Sequence, residues 1–495
     1  MKISASSSFK TEFSHIAISM RRIDTLRPYA RNARTHSKRQ IAQIAQSIRR
    51  FGFTNPVLVS SDGEIIAGHG RVEAAKQLGI TEVPTLALDH LNEAERRAYV
   101  LADNKLALNA GWDQELLAIE LQGLIELDFE VELTGFAQAE IDLVLDHAFQ
   151  SSPTPRGVAS SASENDDDVP ERLAEPVTRP GDVWQLGRHR LICGDARLPG
   201  TYDRLLGAEQ VDLLFTDPPY NVPIDGHVSG LGAVKHREFA FASGEMSETQ
   251  FTAFLTEALG AMAQRCRDGA IAYVCMDWRH MRELLNAGHA VFSELKNLCV
   301  WNKTNGGMGA FYRSKHELVF VWKVGTAPHT NNFGLGDTGR YRTNVWDYAG
   351  ISSISATRSE ELEMHPTVKP VALIADALKD CSRRGDIVLD GFAGSGSTLI
   401  AAEKTGRTAR VVEYDPGYCD TILRRFQAFT GKQATLLADA ENNPGAPRNG
   451  VVAHARFEDV AGLRGVALPD PAIEPALRAA KGRTRGTDRT RRARS

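Results

Sequence analysis

The chain has 495 residues, 42% hydrophobic and 24% charged, with a formal net charge of -4. That composition excludes a fibrous or largely disordered protein, and the length is too great for one core, so about two to four domains are expected. Cys193, Cys266, Cys275, Cys299, Cys381 and Cys419 are scattered without a CxxC pair, which points to reduced core thiols and to neither a zinc site nor a disulfide framework. With no long apolar run and no basic-then-apolar leader, the expectation is a cytoplasmic protein without a membrane partner.

Near the start, "SKRQIAQIAQSIRRFG" places Ser37 and Gln40 at capping-box spacing and Ile41, Ile44 and Ile48 on one face, predicting an amphipathic helix. "PVLVSSDGEIIAGHGR" follows as two short strands turned at Asp62-Gly63, and "RVEAAKQLG" as a second helix. A turn of Gly68, His69, Gly70 and Arg71 at a helix start gathers backbone donors and a guanidinium that suit a phosphate; steric relief by the glycines is the plainer alternative. "SSPTPRGVASSASENDDDVPERLAEP", rich in Ser, Pro and acid, reads as a linker. "KGRTRGTDRTRRARS" closes the chain with seven Lys or Arg and one Asp, a tail expected to be disordered.

Between linker and tail, strand and helix patterns alternate from "HRLICGD" to "YCDTILRRFQAF", which predicts an α/β fold with a mostly parallel sheet and a ligand site beyond the carboxyl ends of the strands. "DIVLDGFAGSGST" delivers Asp390 into a loop with Gly394 and Gly396, and the next strand, "ARVVEYD", ends on Glu413, where a carboxylate can grip ribose hydroxyls. Leu399 replaces the third glycine of a dinucleotide fingerprint, so no pyrophosphate is implied. "VDLLFTDPPYN" stops an apolar strand at Asp217, Pro218, Pro219 and Tyr220. Prolines end strands in any protein, and by itself this turn reads as the end of a buried strand.

Two resemblances join these pieces. From about Ile16 to Gly123 the order of elements resembles the N-terminal domain of ParB-like partition proteins and the wider ParB/sulfiredoxin fold. That likeness implies a phosphate contact at Gly68 and Arg71, with His69 and Gly70 departing from both families' reactive residues. From about Gly181 to Gly431, "DPPY", "FAGSGST" and "HPTVKP" together resemble the beta-arrangement amino DNA methyltransferases. This implies a Rossmann-like class I fold with a mostly parallel seven-stranded sheet, S-adenosyl-L-methionine as cofactor, and transfer to the N6 of a flipped adenine in double-stranded DNA. Implied cofactor residues are Asp195, Thr367, Lys369, Pro370, Asp390, Phe392, Gly394, Gly396, Ser397, Thr398 and Glu413, with Thr367, Lys369 and Pro370 closing the methionine end. Asp217, Pro218, Pro219 and Tyr220 are the implied catalytic turn. The amino nitrogen of a nucleobase is a poor nucleophile while its lone pair is delocalised into the ring, and in such a turn Asp217 and the Pro218 carbonyl would accept from its two N–H groups while Tyr220 stacks the base.

Basic and aromatic residues around "WNKTNGGMGAFYRSK" make Asn302, Lys303 and Arg313, together with Asn221, candidate substrate contacts. The expected domains are 1–147 (ParB-like, α+β, with a helical extension), 148–180 (flexible linker), 181–440 (methyltransferase) and 441–495 (extension and basic tail). Cytosine-N4 methylation and a non-catalytic ParB-like DNA-binding regulator stay open, as do a nucleotide ligand at the N-terminal domain and a homodimer.

Overall fold

The computed structural model describes residues 17–127, 129–151, 166–222, 244–303, 312–333, 342–349, 368–437 and 455–469. It divides into two compact units, Met1–Ser152 and Pro153–Ser495. No helix among the described residues is long and apolar enough to cross a membrane.

The first unit is built on four strands, β1 (Ile18–Arg22), β2 (Val57–Val59), β3 (Ile65–Ala67) and β4 (Glu82–Ala87), in the order β1-β4-β2-β3. The β2–β3 hairpin turns where Asp62-Gly63 predicts it, with Gly63 at φ +82°. The helix Lys38–Phe51 starts at Ser37, whose side chain accepts from the Gln40 amide. The reciprocal half of a capping box is absent, since the Gln40 side chain turns to His36 Nδ1 at 3.1 Å. Ile41 and Ala45 of this helix pack on Ala74 of the helix His69–Gln77. Farther on, Glu93–Leu108 has a complete box from Asn92 and Glu95, and Gln114–Glu126 and Gln138–Ser151 share a small core around Leu121 and Ile141.

In the second unit the strands are β5 (Val183–Leu186), β6 (His189–Cys193), β7 (Val211–Thr216), β8 (Cys266–Met276), β9 (Glu294–Asn302), β10 (His316–Lys323), β11 (Val345–Asp347), β12 (Ile387–Asp390), β13 (Thr408–Glu413), β14 (Ala434–Leu437) and β15 (Ala455–Arg456). They form one sheet in the order β11-β9-β10-β8-β7-β12-β13-β6-β5-β14-β15. The run β8-β7-β12-β13-β6 is parallel, and β10 is antiparallel to both neighbours. The expected seven strands are present as β9 to β6 in that order, but the sheet has eleven among the described residues. The additions are short edge strands, β11 beyond β9 and the antiparallel β5, β14 and β15 beyond β6. Apolar cores cover both faces.

Two expected boundaries are corrected. Residues 166–180 are packed structure and not free linker: Val177 and Thr178 are buried, and their amides donate to the Asp420 carboxylate at 2.6 and 2.9 Å. Arg172 pairs with Asp415 at 2.8 Å and lies over the Tyr418 ring, while Arg425 donates to the Asp166 carbonyl at 2.7 Å. Nor does the domain end at 440. β15 and the helix Phe457–Leu463 bury Phe457, Val460 and Ala461 in the main core, and Arg464 reaches back to Asp182 at 2.5 Å. The basic tail from Lys481 lies outside the described residues.

Candidate active site

Because β7, β12 and β13 are parallel neighbours, their last residues share one edge of the sheet, and each delivers a carboxylate there. After β7 the turn Asp217 to Tyr220 is closed by its own side chains: the Tyr220 hydroxyl donates to Asp217 Oδ1 at 2.7 Å. Asn221 stands at φ +53°, and its side chain accepts from the Gly244 and Met246 amides and donates to the Met246 carbonyl. Asn221 therefore clamps the chain's return.

Lys369 reaches the turn after β7. Expected beside the cofactor, it is buried with Nζ 2.5 Å from Asp217 Oδ2, 3.0 Å from the Tyr220 oxygen and 2.9 Å from Glu317 Oε2. Glu317, at the start of β10, also accepts from Lys303. β10 runs antiparallel to β8, so its first residues sit at the edge where β7 ends. Burial pushes the Asp217 carboxyl up, with the Glu317 charge adding to the rise and Lys369 opposing it. Burial also works against the Glu317 charge, yet Lys369 and Lys303 bring that carboxyl down to about 2. Lys369 loses solvation too, but the two carboxylates hold its ammonium well above the ordinary range.

The second half of the site is the loop after β12. Asp390 accepts from the Thr216 hydroxyl, the Phe392 amide and the Thr398 hydroxyl at 3.0, 3.0 and 2.6 Å, and burial lifts it to about 6. It ties the loop to the end of β7. Gly394 and Gly396 take φ +54° and +86°, left-handed values open to glycine at little cost, and Gly396 caps the helix Ser397–Thr405. The Gly394 amide donates to Glu413 Oε2 and the Asp415 amide to Oε1, both at 2.8 Å. Burial raises the Glu413 carboxyl to about 7 despite these bonds.

Several expected ligand contacts thus serve the loop itself. Thr398 and Asp390 bond to each other, and Ser397 Oγ faces the guanidinium of buried Arg425 at 3.2 Å. Asp195 pairs with Arg197 at 2.6 Å; burial opposes its charge, but the guanidinium holds its carboxyl below the usual range. Phe392 packs against Phe254 with centroids 6.1 Å apart. Pro370 caps the helix Val371–Cys381, and Thr367 lies outside the described residues. Asn302 donates to Asp347 at 2.6 Å, Lys303 is taken by Glu317, and Arg313 is exposed ahead of β10.

Sequence reasoning missed Glu317, Arg425 and the half-exposed Trp278, over whose ring Arg279 lies at 5.2 Å after the end of β8. Glu317 had a signal: a single acid opening the otherwise apolar strand "ELVFVW".

In the first unit Gly68 takes φ +102° and caps the helix His69–Gln77. Arg71 folds beneath this turn, donating to the Pro56 carbonyl at 3.2 Å, and its Nε is buried without a hydrogen-bond partner among the described residues. His69 Nε2 accepts from the Tyr29 amide at 3.2 Å, and burial lowers its pKa, so this ring nitrogen is no phosphate donor. Gly70 is packed against Ile44 and His36. The turn thus brings Gly68 and the Arg71 side chain together at a helix start, where the His69 and Gly70 backbone amides also lie, while the His69 ring is turned to Tyr29.

Comparison with known proteins finds matches along most of the chain. A DNA methylase family model matches residues 211–424, a ParB N-terminal domain model residues 8–105, and a ParB-methyltransferase HTH domain model residues 115–180. The ParB-like nuclease domain-containing protein YnaK of Escherichia coli K12 is 50% identical over 82 residues, 17% of this chain and 94% of YnaK. The DNA adenine methyltransferase YhdJ of the same organism is 27% identical over 261 residues, 47% of this chain and 81% of YhdJ. Among solved structures, an M1.HpyAVI-SAM complex is 19% identical with a TM-score of 0.35, covering 48% of this chain and 97% of that one.

Proposed function

Since the chain belongs to the ParB-like domain family through its N-terminal residues and carries an N6/N4-type DNA methylase domain behind them, we propose that it methylates the exocyclic N6 of an adenine rotated out of duplex DNA, with S-adenosyl-L-methionine as methyl donor. The observation that carries this reading is the pairing of two half-sites on one sheet edge. An Asp-Pro-Pro-Tyr turn ends β7, and a glycine loop with a buried carboxylate spans the ends of β12 and β13.

The loop fits the cofactor. Gly394 and Gly396 leave no side chain on its open turn, and Glu413, with one amide on each oxygen, keeps a lone pair per oxygen for ribose hydroxyls. Phe392 and Asp195 flank that carboxylate's strand end as candidates for the adenine moiety. When bound, S-adenosyl-L-methionine supplies an electrophilic methyl group on sulfur. The chain's own work lies at Asp217 and the Pro218 carbonyl, which accept from the amino group and draw its lone pair out of conjugation. Tyr220 offers its ring to the base. No covalent enzyme intermediate is required, so the six cysteines, all free, have no part in the reaction.

Asp217, where cytosine-N4 enzymes of this kind commonly carry Ser, and the likeness to an adenine methyltransferase favour adenine. In the first unit, Gly68 and the partly buried Arg71 would contact a phosphate, of DNA or of a free nucleotide, which assists DNA engagement without chemistry of its own. Single-molecule sequencing of DNA from a methylation-free host expressing the chain tests the activity. N6-methyladenine at a fixed motif is expected. N4-methylcytosine would move the reading to the other amino group, and unmodified DNA would leave a DNA-binding regulator.

A further inference from the structure

Asp217 faces a conflict that its own geometry creates. Each of its oxygens already accepts one bond, Oδ1 from the Tyr220 hydroxyl at 2.7 Å and Oδ2 from Lys369 at 2.5 Å; a lone pair remains on each, but the two donors, the Lys369 ammonium above all, draw on the charge with which Asp217 would accept from a base amino group. Simply breaking these bonds is costly, because Lys369 is buried and a buried ammonium without a partner is strongly disfavoured. Both donors, however, already reach one further atom. Glu317 Oε2 lies 2.9 Å from Lys369 Nζ and 3.3 Å from the Tyr220 oxygen. Its other oxygen is fixed by Lys303, which itself lies over the Trp301 ring at 4.5 Å. The four charged groups, two carboxylates and two ammoniums, sum to zero, so the donors can move between acceptors without leaving a net buried charge.

We propose that Glu317 is a positioning residue for methyl transfer: it takes over Lys369 and the Tyr220 hydroxyl as Asp217 turns to the target amino group. This rests on the reading of Asp217 given above. Lys303 sets the orientation by holding Oε1, leaving Oε2 aimed at the two donors. The exchange moves hydrogen bonds only; no proton changes owner and no covalent bond forms.

The test uses the full chain, S-adenosyl-L-methionine and duplex DNA bearing the methylated motif. In Glu317→Gln the side chain keeps its shape but loses its charge, so Lys369 stays on Asp217. Cofactor affinity should remain at the wild-type level, while kcat falls by about tenfold or more with a much smaller change in KM for DNA. The acidic limb of the kcat profile should also move to lower pH, because the removed charge is one that raises the Asp217 pKa. The effect of Glu317→Gln should vanish when Lys369 is already Met, since there is then no ammonium to relocate. If Glu317→Gln fails to fold, Glu317→Asp, which keeps the charge but draws the acceptor back by one methylene, should lose kcat with its acidic limb in place. Unchanged kcat in the folded variant, or an undiminished effect in the Lys369→Met background, overturns the proposal while leaving the methyltransferase reading intact. A wild-type chain that methylates nothing removes both.

Discussion

Asp217 enters its reaction already bonded, which separates its role from that of Glu413 and makes the two separable by experiment. Asp217→Ala should reduce methyl transfer by at least about a hundredfold, since the acceptor for the amino group is gone. Lys369 would keep Glu317 as partner, so cofactor affinity measured by calorimetry should stay near wild type. Retained transfer would sink the mechanism. For Glu413 the lever is pH. Its carboxyl is raised by burial to about 7, so its contribution to stability is fully present below the unfolded value near 4.5 and is lost as pH rises through about 7. Ribose hydroxyls donating to the ionised form reverse that preference: cofactor affinity should strengthen as pH climbs from about 6 to about 8, with proton release on binding below about pH 7. Glu413→Gln should weaken binding by roughly 1.5–3 kcal/mol and flatten this dependence. A pH-independent affinity in the wild type would place the ribose elsewhere. Both carboxylates were legible in the sequence because each ends an apolar strand. The contact of Lys369 with Asp217 was not legible: its neighbours in "HPTVKP" belong with the cofactor by resemblance, and nothing in one dimension shows an ammonium reaching across to the turn after β7.

Elements buried on both faces were the easiest to read. β7, β12 and β13 are short, mostly apolar runs ended by acids, as parallel strands covered on both faces require, with Asp212 and Arg410 as the charged exceptions. β5, β14, β15 and β11 escaped because two to four residues at a sheet edge carry no periodicity to detect. The packing of the helix Met281–Val291 was equally invisible. Gly288 lies so close to Trp322 that a Cβ there would overlap the indole ring, which is itself fully buried and stacked on Phe292 at 5.6 Å. Gly288 is helical, so a positive φ is not its reason; the close approach is. Gly288→Ala should therefore destabilise the unit by about 1–3 kcal/mol through overpacking, against the small gain alanine normally brings to a helix. Thermal denaturation decides it: a raised melting temperature would mean that the helix and Trp322 are not in contact.

At the scale of the whole molecule, the placement of residues 166–180 changes how the two units can be separated. Composition marks the whole stretch from Ser151 to Pro176 as linker, because Ser, Pro and Asp build no core. Yet Arg172, Val177 and Thr178 are held by Asp415 and Asp420, and Asp167 accepts from the Val371 amide at 2.9 Å, so the acidic run joins the helix behind the "HPTVKP" motif. These are polar contacts to backbone and charge, which hydrophobic patterning does not report. Cutting at Gly181 would strip the amides that satisfy the Asp420 carboxylate, which is fully buried and leaves an expensive orphan. A chain beginning at Pro153 keeps them. The expected outcome is that the chain from Pro153 melts near the temperature of the second unit in the intact protein, binds the cofactor and methylates the same motif, but binds long DNA more weakly because the phosphate contact of Gly68 and Arg71 is gone. The chain from Gly181 should melt lower and lose cofactor affinity. Arg71→Ala in the intact protein should copy part of the DNA defect alone. A different methylated motif from the Pro153 chain would assign sequence reading to the first unit. Unchanged DNA affinity in both the Pro153 chain and Arg71→Ala would show that the first unit serves some partner other than DNA.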